Sequence, residues 1–212
     1  MTDKNEIARR IVMHLLDIGA IKLNLDQPYT WASGWKSPIY CDNRLALSYP
    51  DVRDFIKSTL SDVVNTQFSG AEAIAGVATA GIPQGALVAD TLDLPFIYVR
   101  SKPKGHGLTN QIEGKVVPGQ KVVVIEDLVS TGGSSLKAVE ALREADIEVL
   151  GMVSIFTYGF DLAVKNFREA KVSYVSLSDY NTLIQVTREH GLMREAEIER
   201  LKAWREAPES WG

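Results

Sequence analysis

The chain holds one cysteine, Cys41, among 212 residues, so no internal disulfide can form, a usage that fits a reducing compartment. Long apolar runs are also missing. The longest, such as Val122–Ile125 and Val149–Phe156, are strand-sized and far too short to cross a bilayer. The first twenty residues, MTDKNEIARRIVMHLLDIGA, lack the basic-then-apolar layout of a secretory signal and read as an amphipathic helix. Positive charge is not in excess: the formal net charge is −4, which excludes a surface built for polyanions, so any anion site must be made locally. There is no internal repeat, low-complexity tract or linker. These absences point to one domain, residues 1–212, expected in the cytoplasm with no membrane and no nucleic-acid partner.

What is present alternates between two periodicities. Ile7, Val12, Leu15 and Leu16 fall at helical spacing and predict a helix over Thr2–Ile18, with Asp3 and Glu6 at its start. Short strands are expected over Ala20–Leu25 and Ser37–Asp42, flanking a turn rich in Trp, Ser and Gly. A helix Pro50–Phe68 follows, then strand Ala73–Val77, helix Ile82–Asp90, and strands Pro95–Arg100 and Lys121–Glu126. Helix Ser134–Ala145, strand Val149–Phe156, helix Asp161–Glu169 and a last strand Val172–Leu177 complete the series, and a charged helix Met193–Arg205 closes the chain. This order predicts an α/β fold, a mostly parallel twisted sheet flanked by helices. Its core spans residues 50–180, and residues 1–49 with the C-terminal tail form a small hood.

The chemistry concentrates in VVVIEDLVSTGGSSLKAVEALREA, Val122–Ala145. Glu126 and Asp127 end a strand, where ligands of parallel sheets gather. Successive side chains leave a strand on opposite sides, so the two carboxylates can hold vicinal sugar hydroxyls between them. The small residues Ser130–Ser135 open a helix, whose first N–H groups point outward at the positive end of its dipole. Gly132 and Gly133 let the chain approach a phosphate, while Thr131, Ser134 and Ser135 add hydroxyl donors. Taken separately, these halves are an acidic strand end and a serine-capped helix. Together they describe a ribose carrying a 5-phosphate. A P-loop needs Gly-Lys-[Ser/Thr], and the first lysine here is Lys137; the Gly-x-Gly-x-x-Gly of dinucleotide sites is absent too.

A second stretch, RSKPKGHGLTNQIEG from Arg100 to Gly114, carries Arg100, Lys102, Lys104 and His106 among glycines, with Leu108 and Ile112 as its apolar anchors. Such loops are lids or solvated charge runs. Facing a phosphate site, this one is read as a lid that excludes water and places cations on a leaving group. His14 and His190 read as structural or surface residues, and Cys41 as a small packing residue.

The segment VVVIEDLVSTGG resembles the phosphoribosyl diphosphate (PRPP) signature of the type I phosphoribosyltransferases. SGWKSPIYCDNR (Ser33–Arg44), GVATAGIP (Gly76–Pro83) and RSKPKGHG (Arg100–Gly107) resemble the orotate-using branch of that family. The resemblance implies the type I fold and transfer of a 5-phosphoribosyl group from PRPP to orotate in pyrimidine biosynthesis. Orotidine 5′-monophosphate and pyrophosphate would be the products. It implies Mg²⁺ bridging diphosphate and ribose oxygens, held largely by ligand and water oxygens, with no protein metal ligands assigned. It implies PRPP contacts from Arg100, Lys104, His106, Glu126, Asp127, Leu128, Val129, Ser130, Thr131, Gly132, Gly133 and Ser134. Lys104 and Asp127 would be catalytic, and Ser130 would also meet orotate. A homodimer is implied as well, with the lid reaching into the neighbouring subunit's site.

Several positions depart from relatives. Ser101 stands where many have lysine, with Lys102 next to it. Ala32 and Ala80 stand where some have lysine, which moves diphosphate binding toward the backbone amides of Thr79–Gly81. Phe156–Phe160 lacks the arginine with which certain relatives contact the orotate carboxylate, so that contact is not carried over. Ser33–Arg44 is expected to roof the base, with Trp31, Trp35 and Tyr40 either facing it or packing, and backbone amides near Lys36 and Ser37 reading its edges. Two other functions use the same PRPP motif. A phosphoribosyltransferase for another nucleobase has no use for the roof, and a non-catalytic PRPP-sensing regulator carries a nucleic-acid-binding face that this charge balance does not supply.

Overall fold

The computed structural model describes residues 3–31, 34–101 and 111–211. Helix α1, Lys4–Asp17, starts where the Asp3 carboxylate accepts a hydrogen bond from the Asn5 amide at 3.2 Å, and it buries Ile11, Val12 and Leu15. Four short strands follow: β1 Ile21–Leu23, β2 Tyr29–Thr30, β3 Lys36–Ser37 and β4 Ile39–Cys41. β1 pairs antiparallel with β4 and β2 with β3, so the N-terminal hood is two small ribbons. A 3-10 helix, Asn43–Ser48, leads into α2, Pro50–Gln67, whose first position suits a proline because its missing N–H would have no partner there.

The main sheet and its helices come next, in the order β5 Ala73–Val77, α3 Gly81–Leu92, β6 Phe96–Val99, β7 Ile112–Glu113, β8 Lys121–Val129 and α4 Gly133–Glu144. They continue with β9 Glu148–Thr157, α5 Asp161–Glu169, β10 Tyr174–Asp179, α6 Tyr180–Glu189 and α7 Glu195–Glu206. The strands lie side by side as β10-β9-β8-β5-β6-β7, and every neighbouring pair is parallel except β6 with β7. The sheet is therefore the mostly parallel, helix-flanked one that the alternation predicts.

Side-chain alternation divides the core into two. Val123 and Ile125 of β8 and Ile74 of β5 face the layer that contains α1, α2, α6, α7 and the hood. Val122 and Val124 of β8, with Ala73, Ala75 and Val77 of β5, face α4 and α5. Full burial of each Val or Ile contributes about 1.5–3 kcal/mol relative to exposure. Ile11, Ile39 and Trp204 belong to the first cluster, so both chain ends share one core with the sheet. α1 itself lies against β10 and α6, where Ser178 Oγ donates to the Ala8 carbonyl at 2.9 Å.

Three elements differ from the sequence expectation. β8 continues to Val129, three residues past Glu126, so the acidic pair lies within the strand and not at its tip. α6 was not anticipated. It follows β10 without a Gly or Pro between them, and its start is marked by Asp179 accepting from the Thr182 amide at 2.8 Å. β7 is a two-residue edge strand that pairs antiparallel with β6, Ile112 with Val99 and Glu113 with Tyr98.

The backbone joint between β5, α3 and β8 has no room for side chains. A Cβ on Gly81 would stand 2.5 Å from the Ile125 carbonyl oxygen, and one on Gly76 would stand 2.7 Å from the Gly81 oxygen. Gly81→Ala is therefore expected to lower stability by about 1–3 kcal/mol in urea unfolding. An unchanged midpoint would show that α3 can move away from β8 without cost.

Candidate active site

Strand order reverses between β5 and β8. From β5 the chain passes through α3 to β6 on one side, and from β8 through α4 to β9 on the other. Such a reversal opens a crevice at the carboxyl ends of the two strands. The N-termini of α3 and α4 both border it, and neither has a side-chain cap: Ala80 and Gly132 occupy the cap positions. The Ile82 N–H donates to the Thr79 carbonyl at 3.3 Å, and the other first-turn N–H groups, without a side-chain cap, can face an anion. The peptide bond Ala78–Thr79, in the first of these turns, is cis.

The two glycines of the second turn do different work. Gly132 adopts φ +79°, and a Cβ there would meet the Phe167 ring at 2.8 Å, so its absence serves the turn and the packing of α5. Gly133 has nothing nearer than Thr131 Oγ1, at 3.8 Å, and is the position that leaves open space toward a ligand. The Thr131 carbonyl accepts from Asn166 Nδ2 at 2.9 Å, which ties the turn to α5.

Glu126 lies on the α4 side, where Ser135 meets it, and Asp127 lies in the field of Arg44 from the hood, and the two are unequal. Glu126 is 6% exposed, and both of its oxygens are engaged: Oε1 accepts from the Asp127 amide at 3.0 Å and Oε2 from Ser135 Oγ at 2.9 Å. Burial first, then the neighbouring Asp127 charge, pushes the Glu126 carboxyl well above the usual range. Burial also raises Asp127, but its hydrogen bond with Glu126 and the field of Arg44 act in the other direction. Both carboxyls are pushed up by burial, Glu126 the further of the two. The Asp127 carbonyl accepts from the buried Asn43 Nδ2 at 2.8 Å, which joins the hood to the strand.

A cavity of about 340 Å³ opens where Ala78, Arg100, Gly133, Ser134 and Lys137 converge. Arg100 Nη1 also donates to Glu113 Oε1 at 3.3 Å. Three expected site residues, Arg100 on one side of β5 and Gly133 and Ser134 on the other, are brought together here. Lys137, set aside in the sequence because it falls too late for a P-loop, lines the same cavity one turn into α4. Its spacing of three residues from Ser134 was the available signal. Lys102, Lys104 and His106 lie outside the described residues.

A second cavity, about 320 Å³, is walled by Thr30, Trp31, Tyr40, Cys41, Leu128, Ser130 and Tyr158. Trp31 packs on Tyr158 with ring centres 4.9 Å apart, and its Nε1 donates to the Ile39 carbonyl at 3.3 Å. Trp31 and Tyr40 therefore both pack and face a cavity, whereas Trp35 lies against Phe160, 6.2 Å away, beside the C-terminal tail. Lys36 Nζ donates to Thr30 Oγ1 at 2.8 Å on the cavity rim. Burial and the fields of Asp127 and Asp42 push the Cys41 thiol well up, so it is a neutral wall. Leu128 and Ser130 reach this cavity, while Val129 is buried on the far side and offers a ligand only its backbone. Its carbonyl accepts from Thr157 Oγ1 at 3.1 Å.

Known proteins resemble this chain along most of its length. The family profile described as "Phosphoribosyl transferase domain" matches residues 46–187. An orotate phosphoribosyltransferase of Porphyromonas gingivalis is 54% identical over 206 residues, covering 97% of this chain and 98% of that protein. Among solved structures, an orotate phosphoribosyltransferase from Aeropyrum pernix superposes with a TM-score of 0.75 at 29% identity, covering 87% of this chain and 99% of that one. Leishmania donovani UMP synthase superposes with a TM-score of 0.77 at 26% identity, covering 93% of this chain and 42% of that one.

The acid pair gives a pH-dependent prediction. A carboxyl whose ionisation is raised by folding makes the native state hold its proton longer than the unfolded chain, so stability falls as pH rises from the ordinary carboxylate range. Glu126→Gln keeps the neutral form. In urea unfolding of the free protein, the variant should be more stable than wild type at neutral pH, with the gap closing as pH falls to about 4. A gap independent of pH would show that Glu126 does not carry the proton.

Proposed function

This chain belongs to the orotate phosphoribosyltransferases of the phosphoribosyl transferase family, and we propose how its residues divide the work of that reaction. It transfers the 5-phosphoribosyl group of PRPP to orotate, forming orotidine 5′-monophosphate and pyrophosphate in pyrimidine biosynthesis. The observation that carries the assignment of roles is the meeting of two uncapped helix N-termini beside the Glu126–Asp127 pair at the strand reversal.

In this reading the turn Ser130–Ser134 takes the 5-phosphate on the free amides and hydroxyls of α4. The turn Thr79–Gly81 takes the diphosphate on the amides of α3, with Arg100 and Lys137 adding charge from the shared cavity. Asp127 accepts a hydrogen bond from a ribose hydroxyl, and its negative charge favours the cationic character that grows on the ring as the anomeric bond breaks. Glu126, held by Ser135 and the Asp127 amide, fixes the second side of the sugar. The cavity bordered by Trp31, Ser130 and Tyr158 takes orotate. Its ring nitrogen is already readily deprotonated, so the protein needs no dedicated base.

Mg²⁺ fits this donor set. With both Glu126 oxygens engaged, the pair offers the carboxylate of Asp127, and a hexacoordinate hard cation takes one or two carboxylates and fills its shell with phosphate and water oxygens. When bound with PRPP it would neutralise charge on the departing diphosphate. Lys104 and His106 complete the reading as lid cations over the leaving group, and the lid of one subunit closes the site of its neighbour in a homodimer. The location proposed is the cytoplasm; no helix among the described residues is long and apolar enough to cross a membrane.

A spectrophotometric assay with PRPP and Mg²⁺ that compares orotate with uracil, adenine, guanine and hypoxanthine tests the base assignment. Consumption of another base in preference to orotate would refute it. Asp127→Asn should lower kcat and raise the KM for PRPP, each by about 10–100-fold; unchanged kinetics would remove the sugar-clamp role. Lys104→Ala should cut kcat by about 100-fold with an unaltered thermal midpoint. Full activity in that variant would mean that the leaving group is stabilised elsewhere.

A further inference from the structure

α7, Glu195–Glu206, lies beyond the stretch that the family profile matches, yet its side chains grip both halves of the second cavity. Trp204 is wholly buried, and its Nε1 donates to the Lys36 carbonyl at 3.0 Å. That carbonyl belongs to β3 of the hood, and the same residue's Nζ holds Thr30 on the cavity rim. The next residue, Arg205, donates through Nε to the Tyr158 carbonyl at 3.2 Å and through Nη2 to the Gly159 carbonyl. Those carbonyls follow β9 and carry the cavity floor. Gly159 sits at φ +63°, with Arg205 Nη2 at 3.4 Å from where its Cβ would be, so the turn is shaped around the guanidinium.

The rings reinforce the hydrogen bonds. Trp204 meets Trp31 edge-on at 5.6 Å and Tyr158 edge-on at 5.8 Å, and these two rings, with Tyr40, are the aromatic walls of the cavity. One end of a single helix therefore fixes the distance between roof and floor. The PRPP turns receive no hydrogen bond from α7 among the described residues: the first rests on β8 through Gly81, and the second is tied to α5 through Asn166 and packs Gly132 on Phe167.

We propose that Trp204 and Arg205 are positioning residues for base selection, which hold the hood over Tyr158 at the spacing of one flat ring. The proposal rests on the reading of this cavity as the orotate site. A flat base bound between roof and floor gains most when their separation is set in advance, because ordering them on binding would subtract from affinity. Losing either tie leaves the phosphate machinery intact and loosens only the base.

The test compares steady-state kinetics of Trp204→Phe, Arg205→Ala and Arg205→Lys in the full-length protein, with thermal unfolding measured alongside. Trp204→Phe keeps an aromatic ring and removes the N–H donor; Arg205→Lys keeps the charge and one donor. The KM for orotate should rise about tenfold in Trp204→Phe and Arg205→Ala while the KM for PRPP stays within about twofold, with partial recovery in Arg205→Lys. An unchanged orotate KM, or both KM values moving together with a lowered thermal midpoint, would overturn the proposal by reducing α7 to a general prop. Thr30→Trp, which places a bulky ring at the exposed rim of the cavity, separates the two readings. If it raises the orotate KM while the α7 variants do not, the cavity remains the base site and the positioning role is lost. If it leaves orotate kinetics unchanged, the cavity is not the base site and both readings are lost.

Discussion

The absent side chain of Gly81 governs how the rest of the site is assembled. Only a glycine lets the first turn of α3 rest against the Ile125 carbonyl, one residue before the acidic pair. That contact brings the amino end of α3 into the same crevice as the amino end of α4. Each helix end is equivalent to roughly half a positive charge, and two such ends facing one crevice repel one another. Asp127, beside them on β8, offsets part of that repulsion in the free protein. An anionic ligand with a phosphate at each end offsets the remainder. The crevice is thus electrostatically incomplete until it is filled, and its charge pattern follows from backbone geometry before any cationic side chain is counted.

The inequality of Glu126 and Asp127 follows from the same layout. Two fully ionised carboxylates on successive residues would set two negative charges against a ligand that is itself heavily anionic. Burial of Glu126 against α4, with Ser135 donating to it, favours retention of a proton on that side. Asp127, within the field of Arg44, is pushed up less, which favours the charge on that side. One negative charge beside the sugar is enough to favour a cationic ring, while the second group still contributes hydrogen bonds. The asymmetry comes from the neighbours of each acid: Glu126 meets Ser135 of α4, and Asp127 lies near Arg44 of the hood.

Most of this was legible where function follows from consecutive residues. The β8–α4 segment announced itself because branched apolar residues, two acids and a run of small residues occur in one stretch, and the alternating pattern that marks the sheet is equally local. What escaped the sequence depends on tertiary approach or on missing punctuation. α6 begins directly at the end of β10, capped by Asp179, with no glycine or proline to divide them. β8 runs three residues past Glu126 because its far end pairs with Phe156 and Thr157 of β9, a pairing that β8 alone does not reveal. Ser135 read as one more hydroxyl for phosphate, whereas in the fold it points back to Glu126. Lys137 looked irrelevant until α4 was placed beside Arg100.

The two halves of the site are therefore built by different means. The phosphoribosyl half is made from turns that each join a strand to its following helix, so its geometry is fixed within short stretches of chain and by the sheet between them. The half proposed for the base is made by convergence: Thr30, Trp31 and Tyr40 from the hood, Ser130 from just after β8, Tyr158 from just after β9 and two ties from α7. Changes in the convergent half need not disturb the local one, because no hydrogen bond from α7 reaches the turns after β5 or β8 among the described residues. A fold organised in this way can exchange the base it accepts while keeping its grip on the sugar phosphate. On the proposed division of the site, specificity resides in the chain ends, and the shared chemistry in the middle of the sheet.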